Sequence, residues 1–148
     1  MKVDLTVAGY IIHDEKILLI HHRKLDLWLP VGGHIEENET PDQALIREVK
    51  EEIGIDIEIL NQSNIPLEGN IKYNLAIPFY TNVHPVGDHD HYGLFYICKA
   101  INPNQLRINK ELKNFEWFTK DDLNKDYVPI DVKNQCLKAF ELYNHILK

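Results

Sequence analysis

Residues 32–55 read GGHIEENETPDQALIREVKEEIGI, and the local chemistry of this stretch sets the organisation of the chain around it. Thr40-Pro41-Asp42-Gln43 offers a capping hydroxyl, proline at the first helical position, an acid for the helix dipole and glutamine three residues after the cap. A helix is predicted from Thr40 to about Ile53, where Gly54 supplies the stop. At roughly 100° per residue, with Glu48 set to zero, Leu45, Val49, Ile53 and Ile46 share an arc centred near about 115°. Glu48, Glu51 and Glu52 fall within about 60° of zero and border that apolar stripe. Arg47 points elsewhere, four residues before Glu51 and able to pair with it.

Three carboxylates at i, i+3 and i+4 repel one another by about 0.2 to 0.5 kcal/mol per exposed pair, and by more where the dielectric is low. Folding alone does not select that arrangement. A hard divalent cation among them turns the repulsion into a ligand set, since Mg²⁺ takes oxygen ligands and keeps positions for water and phosphate oxygens. A solvated acidic helix face is the competing explanation for an isolated ExxEE.

Outward from the helix, residues 3–12 and 16–22 are β-branched, apolar runs joined at His13-Asp14-Glu15, which predicts a hairpin. Trp28-Leu29-Pro30 is a short apolar patch before Gly32-Gly33, a pair that allows close backbone approach. Residues 55–59 alternate as a half-buried strand, and 61–70 form a polar connection. The runs 71–83 and 92–101 predict two strands flanking a wide loop, His84 to His91. Phe115 to Phe118 predicts a last short strand and Thr119 to Leu123 a capped turn. Val132, Cys136, Phe140, Tyr143 and Leu147 place one apolar stripe on a final helix.

The length, 148 residues, predicts one domain over 1–148, with 44% hydrophobic and 26% charged residues as in ordinary globular chains. Sixteen basic against 23 acidic residues give a net charge of −7, which disfavours a nucleic-acid or anionic-membrane partner. Two cysteines are too few for a disulfide scaffold, and the chain opens with no basic segment followed by an apolar run. The expectation is a cytoplasmic location with reduced thiols.

Gly33, Glu39, Arg47, Glu48, Glu51, Glu52 and Gly54 are spaced as in the box of the Nudix hydrolases, with Val49 and Ile55 at its two aliphatic positions. Seven fixed residue types at about 7% usage coincide by chance in about one window in 10⁸. The chain therefore resembles that family, and the strands before and after the box and the late FEWFTKDDL segment agree. The resemblance implies an α/β fold, an α/β/α sandwich with a mixed central β-sheet. It also implies hydrolysis of a nucleoside diphosphate linked to another group, by water attack on phosphorus with Mg²⁺ or Mn²⁺. Glu48, Glu51, Glu52 and the main-chain carbonyl of Gly32 are the implied metal ligands, with Glu39 and Arg47 in support. The general base is implied to be Glu52 or Glu48, or a residue on a separate loop. Homodimers occur among relatives.

Some relatives bring a further glutamate from after the box, yet from Gly69 to Lys110 there is none. Asp88, His89, Asp90 and His91 are then the candidates for metal, base or phosphate contact, against the alternative of a solvated hairpin tip. Trp28 is a candidate to stack on a base or to pack in the core. Tyr73 falls near where dinucleoside polyphosphate hydrolases of the family carry a tyrosine. The functional alternative to the hydrolase is a domain that senses a nucleotide without turning it over.

Overall fold

A computed structural model describes residues 2–147 of the chain. Strand β1 (Val3–His13) turns through Asp14 and Glu15, both at positive φ (50° and 61°), into β2 (Lys16–His22). This is the backbone that a two-residue hairpin turn demands. Two short strands follow, β3 (Leu27–Leu29) and β4 (Val31–His34). Helix α1 (Pro41–Ile53) begins at a capping box between Thr40 and Gln43 and ends at Gly54, whose left-handed φ of 72° lets its N–H reach the Lys50 carbonyl. Then come β5 (Ile57–Ile59), β6 (Tyr80–Val86), β7 (His89–Ala100), β8 (Leu112–Phe118) and helix α2 (Ile130–Leu147).

The eight strands form one mixed sheet. β1 lies at its centre, parallel to β7 on one side and antiparallel to β4 and β2 on the other. β2 pairs further with β3 and β8, and β7 with β5 and β6. Alternate residues of β1 face opposite layers. Val7 and Ile11 join Leu45, Val49 and Ile53 of α1 in one core cluster. Tyr10 and Ile12 join Val132, Cys136 and Ala139 of α2 in the other. The α/β/α sandwich is thus built on one strand whose two faces bury against two helices.

Three sequence expectations change. Residues 71–79 are not a strand: apart from a single bridge between Gln62 and Ala76 they are irregular, with Ile71, Tyr73, Leu75 and Ile77 exposed. Apolar composition there is not matched by a neighbouring strand to pair with. The segment His84 to His91 is not a wide loop, because β6 and β7 run through it and only Gly87 and Asp88 make the turn. Pro85 is accommodated because β6 is an edge strand. Ile46 is 48% exposed and Glu52 only 4%. The inward face of α1 is therefore rotated toward the acids: Ala44, Leu45, Val49, Glu52 and Ile53 are the residues it buries. On α2 the expected stripe buries Val132 and Cys136 and half-buries Phe140 and Tyr143; the Leu147 side chain lies outside the described residues.

Candidate active site

β4 and α1 meet face to face, and two glycines make the meeting close. A Cβ on Gly32 would collide with the Val7 carbonyl of β1, and one on Gly33 would sit 2.6 Å from both Glu48 carboxylate oxygens. Gly32 and Gly33 pair with Ala8 and Val7, so the strand is held at that separation by its own ladder.

Arg47 organises the acids around this contact. Its Nε and Nη2 donate to the two oxygens of Glu39 at 2.7 and 3.0 Å, the planar fork that guanidinium offers a carboxylate. Nη1 reaches Glu48 at 2.9 Å and Glu51 at 3.4 Å, and Nη2 also donates to the His34 carbonyl at 3.0 Å. One side chain thus ties the loop after β4 to the helix. These bonds, with that from the Glu36 N–H, pull the Glu39 carboxyl down to about 2, while the carboxylates push Arg47 well above its ordinary value.

Glu52 is different in kind. Burial, followed by the charges of Glu48 and Glu111, pushes its carboxyl up to about 8. Its Oε1 is one of two buried side-chain polar atoms without a hydrogen-bond partner among the described residues. Such an atom costs about 1–3 kcal/mol when neutral and more when charged, a cost that a cation from outside the chain would relieve. Glu48 is also raised, first by burial, with Arg47 opposing. An oxygen-rich, partly buried set of this kind fits Mg²⁺ or Mn²⁺.

Glu111 is the residue that sequence reasoning missed. It lies one residue beyond the Gly69–Lys110 stretch that holds no glutamate. Its approach comes from the segment before β8: Arg107 and Asn109 N–H groups donate to the Ile53 and Glu52 carbonyls, and Asn109 Nδ2 to the Glu51 carbonyl. They satisfy the free carbonyls at the end of α1 and bring the chain alongside its acids. Arg23 braces the turn: its Nε and Nη2 donate to the carbonyls of Lys110 and Leu112.

Other candidates lie elsewhere. Trp28 packs with the α2-side cluster, stacked on His21 at 4.9 Å and edge-on to Phe118 at 5.7 Å. Tyr73 is 57% exposed in the irregular segment, with Lys72 Nζ 5.6 Å from its ring centre. His89 and His91 belong to the start of β7, where they gather with Asp4 and His34. Asp88 bonds the His89 ring at 3.0 Å.

This fold is an α/β/α sandwich with a carboxylate-lined helix behind a glycine pair, and comparison with known proteins gives the class its family. The model of the NUDIX domain matches residues 3–136. The chain belongs to the Nudix family. A crystal structure of a NUDIX-family hydrolase from Clostridium perfringens superposes with a TM-score of 0.85 at 30% identity, covering 97% of this chain and 99% of that one. An 8-oxo-dGTP diphosphatase of Proteus vulgaris is 46% identical over 34% of this chain and 49% of its own length. A dihydroneopterin triphosphate diphosphatase of Escherichia coli K12 is 32% identical over 49% of each. The chain spans about half the length of these two curated relatives. Among the described residues no helix is long and apolar enough to cross a membrane.

Proposed function

We propose that the chain is a divalent-metal-dependent pyrophosphohydrolase, cleaving the diphosphate bridge of a nucleotide or nucleotide derivative by water attack on phosphorus. The observation that carries this reading is the buried Glu52 carboxylate, whose Oε1 has no hydrogen-bond partner among the described residues, set among Glu48, Glu51 and Glu111 behind Gly32-Gly33. Glu48, Glu51, Glu52 and the Gly32 carbonyl would hold Mg²⁺ or Mn²⁺, and Glu111 adds a fourth carboxylate. The bound cation supplies neutralisation of phosphate oxygens and a lowered pKa for the attacking water.

The protein's own residues do the positioning. Arg47 holds Glu48 and Glu51 by one Nη1 and is itself fixed by the Glu39 fork, so the ligand set is prearranged and little ordering is left to binding. Glu52 is the proposed general base, with Glu48 the alternative; burial raises both carboxyls above their ordinary value, which makes each carboxylate a stronger proton acceptor. The two buried free thiols, Cys98 and Cys136, fit the reducing cytoplasm.

The test is a panel of nucleoside triphosphates and diphosphate-linked nucleotides assayed with Mg²⁺ or Mn²⁺. Chromatography of the products should show cleavage at the anhydride that depends on metal and is lost in Glu52→Gln. Saturable nucleotide binding with no turnover of any compound would instead establish a sensing domain.

A further inference from the structure

Asp4, His34, His89 and His91 each offer one ligand atom, and the four atoms lie within 4.8 Å of one another. We infer that these side chains form a binding site for one divalent transition-metal ion of the zinc class, separate from the glutamate site. The separation follows from sheet geometry. Gly33 pairs with Val7 on the α1 side, where it meets Glu48; His34 pairs with Thr6 and so projects to the other face. Asp4 and His91 are partners across β1 and β7, and Asp4 and Thr6 share one face of β1.

The spacing within the cluster suits coordination better than hydrogen bonding. With ligands about 2.0–2.1 Å from zinc, the edge of a tetrahedron is about 3.4 Å. Here His89 Nε2 lies 3.3 Å from His91 Nε2, His34 Nε2 lies 3.5 Å from Asp4 Oδ2, and His89 Nε2 lies 3.6 Å from the same oxygen. The two Asp4 contacts are longer than an ordinary N–H···O bond, about 2.7–3.2 Å, so hydrogen bonding leaves that carboxylate poorly served. A hydrogen bond between two neutral imidazoles accounts for the His89–His91 pair and for nothing else in the group.

Asp88 supplies an independent feature of such sites. Its Oδ1 lies 3.0 Å from His89 Nδ1, which places the proton there and leaves the Nε2 lone pair free toward the cluster. Three imidazoles and one carboxylate favour zinc, cobalt or nickel over Mg²⁺, which prefers oxygen. The ion would tie together the start of β1, the end of β4 and the β6–β7 hairpin, three pieces of chain distant in sequence.

The experiment uses the full chain, free of any polyhistidine tag, stripped with chelator and kept in excess Mg²⁺. Calorimetric titration with ZnCl₂ should show one equivalent bound. Its affinity should fall at least about tenfold in His89→Ala and His91→Ala, and be unchanged in Glu52→Gln. Should an alanine variant fail to fold, the parent loaded with Co²⁺ decides alone: intense tetrahedral bands in the visible support the site, and a weak octahedral spectrum overturns it. No saturable zinc binding, or zinc binding lost in Glu52→Gln and kept in His91→Ala, overturns it equally.

Discussion

Gly33 lies directly against the Glu48 carboxylate, with room for a hydrogen but none for a methyl group. The neighbouring glycine meets a different obstacle, the main chain of β1 at Val7. A carboxylate can swing away, whereas a paired backbone cannot. Gly33→Ala should therefore fold with a melting temperature near that of the parent yet lose about 100-fold in kcat through a displaced Glu48. Gly32→Ala should lose stability first. Melting curves beside kinetics separate the two; equal loss of stability in both would show that Gly33 serves packing alone.

Glu52 predicts a pH dependence of opposite sign to that of an ordinary ion-paired carboxylate. Its folded value, about 8, lies above the unfolded value, so between roughly pH 4.5 and 8 the folded chain binds the extra proton. Stability of the metal-free protein should fall as pH rises through that window, by on the order of a few kcal/mol, and level off above it. Glu52→Gln should flatten the curve, and Mn²⁺ should restore stability most at the alkaline end. Thermal melts from pH 5 to 9 measure this; a parent curve as flat as that of the variant contradicts it.

Arg47 makes its bonds through three nitrogens, which lysine cannot imitate. Arg47→Lys should keep the charge, lower metal affinity and kcat by about tenfold or more, and leave substrate KM little changed at saturating metal. An unaltered kcat would reduce Arg47 to a surface pair.

Glu111→Gln should weaken Mn²⁺ binding while leaving the α1 capping contacts of Arg107 and Asn109 in place. Metal titration of the variant, read with its circular dichroism, checks this. Unchanged affinity would mean that Glu111 is only a neighbouring charge.

The parts of the fold visible in the sequence are those fixed by local chemistry. The β1–β2 hairpin and α1 carry their own turn and capping residues, so their limits were readable to within a residue or two. β4 was not, since Val31-Gly32-Gly33-His34 has little strand propensity and is extended because β1 pairs with it. The β6–β7 hairpin was hidden by His84, Pro85 and the Asp/His pairs, which read as loop but are ordered by the register from Tyr80–Phe95 to Val86–His89. At the site, helical spacing singled out the three helix acids, and the resemblance to the Nudix box added Glu39 and Arg47. The burial of Glu52 depended on how α1 rolls onto the sheet, and the approach of Glu111 on a loop docking at the far end of that helix; neither leaves a mark in a linear pattern.

The most direct test of the metal account is a crystal of the chain soaked in Mn²⁺, with anomalous scattering collected to locate the ion. The account predicts density bounded by Glu48, Glu51, Glu52 and the Gly32 carbonyl, with Glu111 close by. Manganese found only beside Asp4 and the three histidines, with the helix carboxylates bare, would contradict it.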